Sequence, residues 1–499
     1  GLTWIGLAAA ATAALSWPGL RLLDTQITVQ AGSLDAGASD VVGAEIGNLA
    51  SPLDLAQALG VWQAGDYRYR TESFGTLQNI ELWFVGALAL LGLGWAIRRR
   101  AWPALLLASV VLPSIYLLHR ASPYADAKVL MLASPGVLLL AACGAASLWT
   151  GRWRLLAAPV LAALVVAVEV SGALAYHDVS LTPRDRFEEL SSLDDRLAGR
   201  GPVLLNEYDE LGKYFLAAAD PFVEPETNHE YRPDTQSNER KRPSVKTPLD
   251  TDELRLDYIE KIPYVIVRRG PLGSRPPANF RRVWSGRYYE LWQRASATKV
   301  LEHHSLGNSI LSPAEPITER LARRMAQRAR RAGGTLAAPL RVRPQFFFIS
   351  RHPRPARWEG FGDYPEALVS NGPGNIDAPV TLSRSGEYHV WMEGSFSRRL
   401  TVSVDSVVVG HTPHVLNNPG AYASLGTVRL KRGLRGVQVR QGGGDARPGN
   451  GGYRSSLRHI GPIVFDPVAN EADLITRVDP ADWRRLVGER ADWLEVVKP

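Results

Sequence analysis

The sequence predicts a multi-domain chain: an α-helical transmembrane bundle followed by a small α/β domain and a β-sandwich domain of jelly-roll type. Three observations predict it. Four apolar segments, Ile80–Ile97, Trp102–Leu118, Val129–Trp149 and Leu155–Ala175, follow an apolar start at Leu2–Leu20. Each approaches or reaches the ~20 residues that cross ~30 Å of hydrocarbon. More than 300 residues of water-compatible chain come after them, and from Phe346 onward that chain alternates in short runs punctuated by glycine.

The first region, residues 1–176, is expected to hold about five helices, the first truncated. The chain opens at Gly1 within an apolar run, with no basic n-region and no small-residue cleavage site. Leu2–Leu20 therefore reads as the remnant of a span in a longer protein, not as a signal peptide. Arg98, Arg99 and Arg100 form one basic hinge and Arg152 with Arg154 another; the positive-inside rule makes both cytoplasmic. The turn His119–Lys128 and the acidic loop 24–79 then face outward. The expected location is the cell membrane, multi-pass, with residues 177–499 extracytoplasmic.

Composition narrows the partners. A net charge of +7, from 57 basic and 50 acidic residues among 499, is too dilute to imply a nucleic-acid partner. The mean hydropathy of −0.11 averages an apolar first third with a polar remainder. The single cysteine, Cys143, lies in an apolar segment, so no intrachain disulfide can form.

Residues 177–297 read as an extracytoplasmic α/β domain. Arg184–Ala198 has helical spacing in Phe187, Leu190, Leu193 and Leu197; Leu211–Ala219 is a second helix, and Pro202–Asn206, Tyr264–Arg268 and Phe280–Trp292 are strands. A strand-turn-helix unit can hold a ligand at its strand ends. Asn206–Glu210, however, offers no glycine-rich phosphate cradle, and no nucleotide site is expected. Residues 298–344 read as a linker with a basic helix, Ile317–Arg331, which either lies on anionic headgroups or bridges two domains as a solvated helix. Residues 345–468 read as a β-sandwich, with strands at Tyr388–Met392, Leu400–Val404 and Val437–Arg440. Residues 469–499 are expected to be a helical tail, Pro480–Val497, capped by Asp479 and anchored by Trp483 and Trp493.

Candidate site residues follow from chemistry. Arg120 and Lys128 flank the outward turn and either clamp a lipid-linked phosphate or snorkel to the interface. Glu169, ~12 Å below the outer end of its span, is either a functional intramembrane acid or a structural partner between spans. Trp62, Asp66 and Arg68 in the outer loop either line a substrate groove or are local, with Asp66 serving Arg68 or a turn. Trp358, Tyr388, Trp391 and Tyr422 are either sugar platforms or sandwich core. Gly442–Gly452 lacks the Lys-Ser/Thr of a P-loop. His411 and His414 lack the further ligands of a metal site, so no metal residue is assigned. The cofactor stays open, a divalent cation such as Ca²⁺ or Mg²⁺ included. No Ser-His-Asp pattern is legible.

The spans, the outer-loop stretch Asn48–Leu53 with Gly60-Val61-Trp62 and Gly65-Asp66-Tyr67-Arg68, and the segments Arg275–Phe280 and Tyr288–Trp292 resemble actinobacterial GT-C integral membrane glycosyltransferases. Gly386-Glu387-Tyr388-His389-Val390-Trp391 resembles a carbohydrate-binding module, similar to the appended sandwich of mycobacterial arabinosyltransferases. The resemblance implies transfer of a sugar from a polyprenyl-phosphate donor to a cell-envelope glycan or protein on the outer face, with an acidic side chain as general base. Such families carry their catalytic aspartate in the first outer loop, upstream of this chain, so no catalytic residue is carried over. Arg120 and Lys128 match the family's basic residues toward the polyprenyl phosphate only loosely. A non-catalytic, membrane-anchored glycan-binding or scaffold protein is the alternative. A transporter fits less well, because so much mass lies outside the spans.

Overall fold

A computed structural model describes residue 49 and residues 52–62, 75–118, 122–149, 153–178, 184–207, 212–223, 248–295, 297–307, 314–362, 364–443, 446–449, 459–471 and 475–498. The chain divides into two compact units, Gly1–Val179 and Ser180–Pro499.

In the first unit, the helices Thr76–Arg99, Pro123–Ser147 and Arg154–Asp178 contain stretches long and apolar enough to cross a membrane. At 1.5 Å per residue each reaches about 36 Å, more than the hydrocarbon thickness. Their outward faces expose Trp83, Leu90, Met131 and Leu155, a surface that calls for an apolar solvent. Small residues let two of them approach closely. A Cβ on Gly92 would run into the Leu140 carbonyl, and one on Gly144 into the Leu88 carbonyl. Ser122 caps the Pro123 helix by accepting from the Ala125 amide at 3.4 Å.

The expected span Trp102–Leu118 is corrected: it is two short helices, Trp102–Ala108 and Val111–Leu117. The Ser109 hydroxyl donates to the Leu106 carbonyl at 2.6 Å at the break. The expected truncated span Leu2–Leu20 lies outside the described residues.

The second unit has three layers. The first is a mixed five-stranded sheet, ordered Pro221–Val223, Val203–Leu205, Tyr264–Arg268, Tyr289–Arg294 and Phe280–Ser285. The first two pairings are parallel and the last two antiparallel. Helix Arg184–Leu197 buries Phe187, Leu190, Leu193 and Leu197, the stripe its spacing predicts, in a cluster with Val203, Leu205 and Ile266.

The stretch expected to be a linker, and the tail expected to be a helix, build the second layer together. Its sheet runs Ile475–Val478, Thr335–Pro339, Trp493–Lys498, Lys299–Ser305. Helix Glu319–Ala332, capped by Thr318 and ended by Gly333 at φ 66°, buries Leu321, Ala322, Met325, Ala326 and Ala329 with Leu336, Ala338 and Val496. Its apolar face is therefore occupied by protein, which corrects the headgroup reading. Of the expected helix Pro480–Val497, Pro480–Leu486 is helical, as a 3₁₀ segment capped by Asp479, whose carboxylate accepts from the Ala481 amide at 2.7 Å. Trp493–Lys498 is instead a strand between two neighbours, buried on both faces from Trp493 to Val497, so its sequence shows no alternation. Trp483 and Trp493 are buried, as anchors should be.

The third layer is the sandwich. One sheet is ordered Trp358–Phe361, Tyr364–Ser370, Ile460–Pro467, Gly386–Gly394, Tyr422–Leu430, with Gln345–Phe347 also paired to Ile460–Pro467. The other is Gly374–Leu382, Gly433–Gln441, Leu400–Val404, Val407–His411. Ile376, Val439 and Val402 align across the second sheet and point into the shared core with Val390, Ile463 and Phe465 of the first. Asp405 and Ser406, both at positive φ, make the tight hairpin turn between the last two strands.

Candidate functional site

Arg120, Asp66 and Arg68 lie outside the described residues. Lys128 is exposed in the first turns of its helix, its Nζ 4.4 Å from the Tyr124 ring centroid. Trp62 is buried and pinned to the last span: its amide donates to Ser171 Oγ at 2.6 Å, and that hydroxyl donates to the Trp62 carbonyl at 2.9 Å. Glu169 is two residues before Ser171, roughly 200° around the helix, and is exposed. Trp62 and Glu169 therefore do not share a groove.

The four aromatic platforms are corrected. Trp358 and Tyr388 sit in the sandwich core; the Trp358 indole donates to the Gly372 carbonyl at 3.1 Å and the Tyr388 hydroxyl to the Arg384 carbonyl at 2.9 Å. Trp391 and Tyr422 lie on the opposite face of that sheet and cluster with Val464 and Leu272, the last from the segment after strand Tyr264–Arg268. Rings this large have more apolar area to bury than any other residue. Here two fill the sandwich and two join it to the layer beside it.

What the sandwich presents outward is polar. On the second sheet, Asn375, Arg440, Thr401 and His411 are cross-strand neighbours in one row. Asp377, Gln438, Ser403 and Val408 form the next row of the same face. Asn375, Asp377, Arg440 and His411 are exposed, and Thr401 Oγ1 lies 3.0 Å from His411 Nδ1. The rows therefore offer amide, guanidinium, hydroxyl, carboxylate and imidazole groups on a rigid sheet. Period-2 alternation made this face legible, but the aromatic residues drew attention away from it. Among the described residues no group of three His, Cys, Asp or Glu side chains is arranged to hold a metal.

A second polar concentration lies where the layers meet. A cleft of about 60 Å³ is lined by Arg268, Arg269, Arg275, Arg282, Arg341, Glu290, Asp466 and Trp391, among others. Arg268 and Arg269 stand at the carboxyl end of a strand in a partly parallel sheet, where such sheets hold ligands. Arg282 Nη1 donates to Glu290 at 2.7 Å, Arg275 Nη2 to the Asn470 carbonyl at 2.6 Å, and Arg341 Nη1 to the Pro271 carbonyl at 3.2 Å. Burial works against the Arg341 charge, but Asp492 beside it more than compensates and holds the guanidinium above its ordinary value. Sequence reading passed over this group, because its members are scattered from residue 268 to 341. The only local signal was Arg268-Arg269-Gly270 ending a buried strand.

Beside it is a buried acid network. His303 Nε2 is 2.6 Å from Asp252 and Nδ1 2.7 Å from Glu495. Burial alone would strip the imidazole of its proton, yet the two carboxylates overrule it and lift His303 to about 10. Burial and neighbouring Asp252 push Asp250 up to about 7. Its carboxylate accepts from the Asp252 amide at 3.0 Å and lies 3.1 Å from the Ser274 hydroxyl.

No protein-family model matches the chain, and no curated protein matches it in sequence. Solved structures similar to about a quarter of the chain include a family 35 carbohydrate binding module from Clostridium thermocellum, at 14% identity over 25% of this chain and 99% of that one, with a TM-score of 0.19. A CBM36 module in complex with calcium and xylotriose is similar at 11% identity over 24% of this chain and 96% of that one, TM-score 0.18. The Podospora anserina GH26-CBM35 β-(1,4)-mannanase is similar at 14% identity over 25% of this chain, TM-score 0.18, and the match spans 27% of that enzyme. At TM-scores this low the two-sheet architecture of residues 345–468 rests on its own strand pairing.

Proposed function

We propose that the chain is a membrane-anchored glycan-binding protein whose sandwich grips a cell-envelope saccharide on the outer face of the sheet Gly374–Leu382, Gly433–Gln441, Leu400–Val404, Val407–His411. The observation that carries this is the polar row Asn375, Arg440, Thr401 and His411, with Asp377 and Gln438 beside it, on one face of the sheet. Saccharide hydroxyls both donate and accept, and the rows supply partners of both kinds at strand spacing. The full chain in detergent, applied to an array of envelope glycans, should bind a subset of them. The double variant Asn375→Ala, Arg440→Ala should weaken that binding by about tenfold, the loss of a charge-assisted hydrogen bond. A blank array, or binding untouched by the double variant, refutes the reading.

The finer reading is that this grip serves a GT-C-type glycosyltransferase, which moves a sugar from a polyprenyl-phosphate donor to the held glycan outside the cell. Exposed Lys128, at the start of an apolar helix with Tyr124 beneath its ammonium, supports a role at the donor phosphate. Lys128→Ala in the full-length protein should lower donor affinity while glycan binding stays intact. Glycan binding with no donor consumption at all would favour the non-catalytic binder or scaffold.

A further inference from the structure

The arginine cleft has the properties of a built anion site, separate from the polar sheet face and independent of the glycan reading. Five of the side chains that line it are arginines, Arg268, Arg269, Arg275, Arg282 and Arg341, so its wall concentrates guanidinium donors.

The donors are also in place. Arg268 is 5% exposed; its Nη2 donates to Asn417 at 3.0 Å, while Nη1 has no hydrogen-bond acceptor. Trp391 is 3% exposed, lines the cleft, and its indole N–H has no acceptor either. Buried donors of this kind are rarely left unmade. Arg269 stacks over the Trp391 ring, 5.5 Å from guanidinium carbon to ring centroid, which fixes both groups at the cleft wall. Size is compatible with such a ligand: one water-sized oxygen occupies about 10–15 Å³ of such volume, so about 60 Å³ has room for the oxygens of one phosphate or carboxylate group.

We propose that this cleft binds the phosphate or carboxylate group of a small anionic ligand, held by Arg268 and Arg269 and by the Trp391 N–H. Planar guanidiniums match such oxyanions, and the rest of the ligand would project from the cleft mouth.

The test is a titration of the full chain in detergent with inorganic phosphate, glucose 1-phosphate, glucuronate and neutral glucose, at constant ionic strength, followed by tryptophan fluorescence and calorimetry. Saturable binding of at least one anion, with glucose silent, is expected. Trp391→Phe keeps an aromatic ring and removes the N–H, and Arg269→Gln removes one charge; each should weaken binding by about tenfold while a cooperative melt shows the fold retained. Tighter binding of glucose 1-phosphate than of inorganic phosphate would assign the group to a phosphorylated saccharide, equal affinity to free phosphate, and preference for glucuronate to an acidic sugar; each supports the site. No saturable anion binding by the unmutated chain, or binding that both variants leave unchanged, overturns it.

Discussion

Raising the pH from 5 to 8 should destabilise the second unit, and the buried acids set the size of the effect. Asp250 has a native pKa of about 7 against an ordinary 3.8, because burial and Asp252 penalise its charge. Between those values the native state keeps a proton that the unfolded chain has released, so stability falls as pH rises, by about 1.4 kcal/mol per unit. From pH 5 to 7 that amounts to about 2–3 kcal/mol. His303 acts in the same direction: its native pKa of about 10 exceeds 6.5, so its contribution is complete below pH 6.5 and fades as pH climbs toward 10. It adds about 2 kcal/mol of loss between pH 6.5 and 8. Asp252 faces both groups, so the two contributions overlap, and a loss of about 3 kcal/mol is expected, or roughly 6 °C in melting temperature. Thermal unfolding of the detergent-solubilised chain, followed by tryptophan fluorescence, reads this directly, since Trp493 lies 5.9 Å from His303. Asp250→Asn should flatten the pH 5–7 part of the slope. A melting temperature that is constant or rises between pH 5 and 8 refutes the reasoning.

Two predictions concern the first unit. Gly92→Leu should separate the helices Thr76–Arg99 and Pro123–Ser147, because the new side chain meets the Leu140 carbonyl; a lowered melting temperature and faster proteolysis in detergent would register it, and an unchanged melt would show that the close approach is not needed. Tyr124→Cys, read with a membrane-impermeant thiol reagent on intact cells in a Cys143→Ala background, should label from outside; labelling only after lysis would invert the topology.

Legibility followed periodicity and failed where burial erased it. Helix Arg184–Leu197 and the strands Gly374–Leu382 and Gly433–Gln441 each bury one stripe or one face, and their sequences display it. Trp493–Lys498 has neighbours on both edges and its first five residues are buried, so a run of Trp, Leu, Val and Val looked equally like a helix face. The same ambiguity misplaced the aromatics. Period 2 puts Tyr388 and Trp391 on opposite faces of one strand, but sequence does not say that another layer covers the second face. The arginine cleft was illegible for a different reason. Its residues come from five strands and the loops holding Arg275 and Arg341, and only pairing across the sheet brings Arg282 to Glu290 and Arg268 to Tyr289.

Placing residues 180–499 outside the cell turns on the least regular apolar segment. The arginine hinges at 98–100 and 152–154 lie on one side only if the chain goes out and back between them, and Pro123–Ser147 is long and apolar enough for one crossing. On that topology Trp102–Leu117 would have to supply the other, yet as continuous helix it would span only about 24 Å, short of the ~30 Å core. Leu106, Leu107, Leu112 and Ile115 are exposed along both halves, so the apolar surface continues past the break. A shortened span of this sort is accommodated by local thinning of the bilayer. If the segment instead turned back, the next helix would start in the cytoplasm, and the polar sheet face and arginine cleft would meet cytosolic ligands, not envelope glycans.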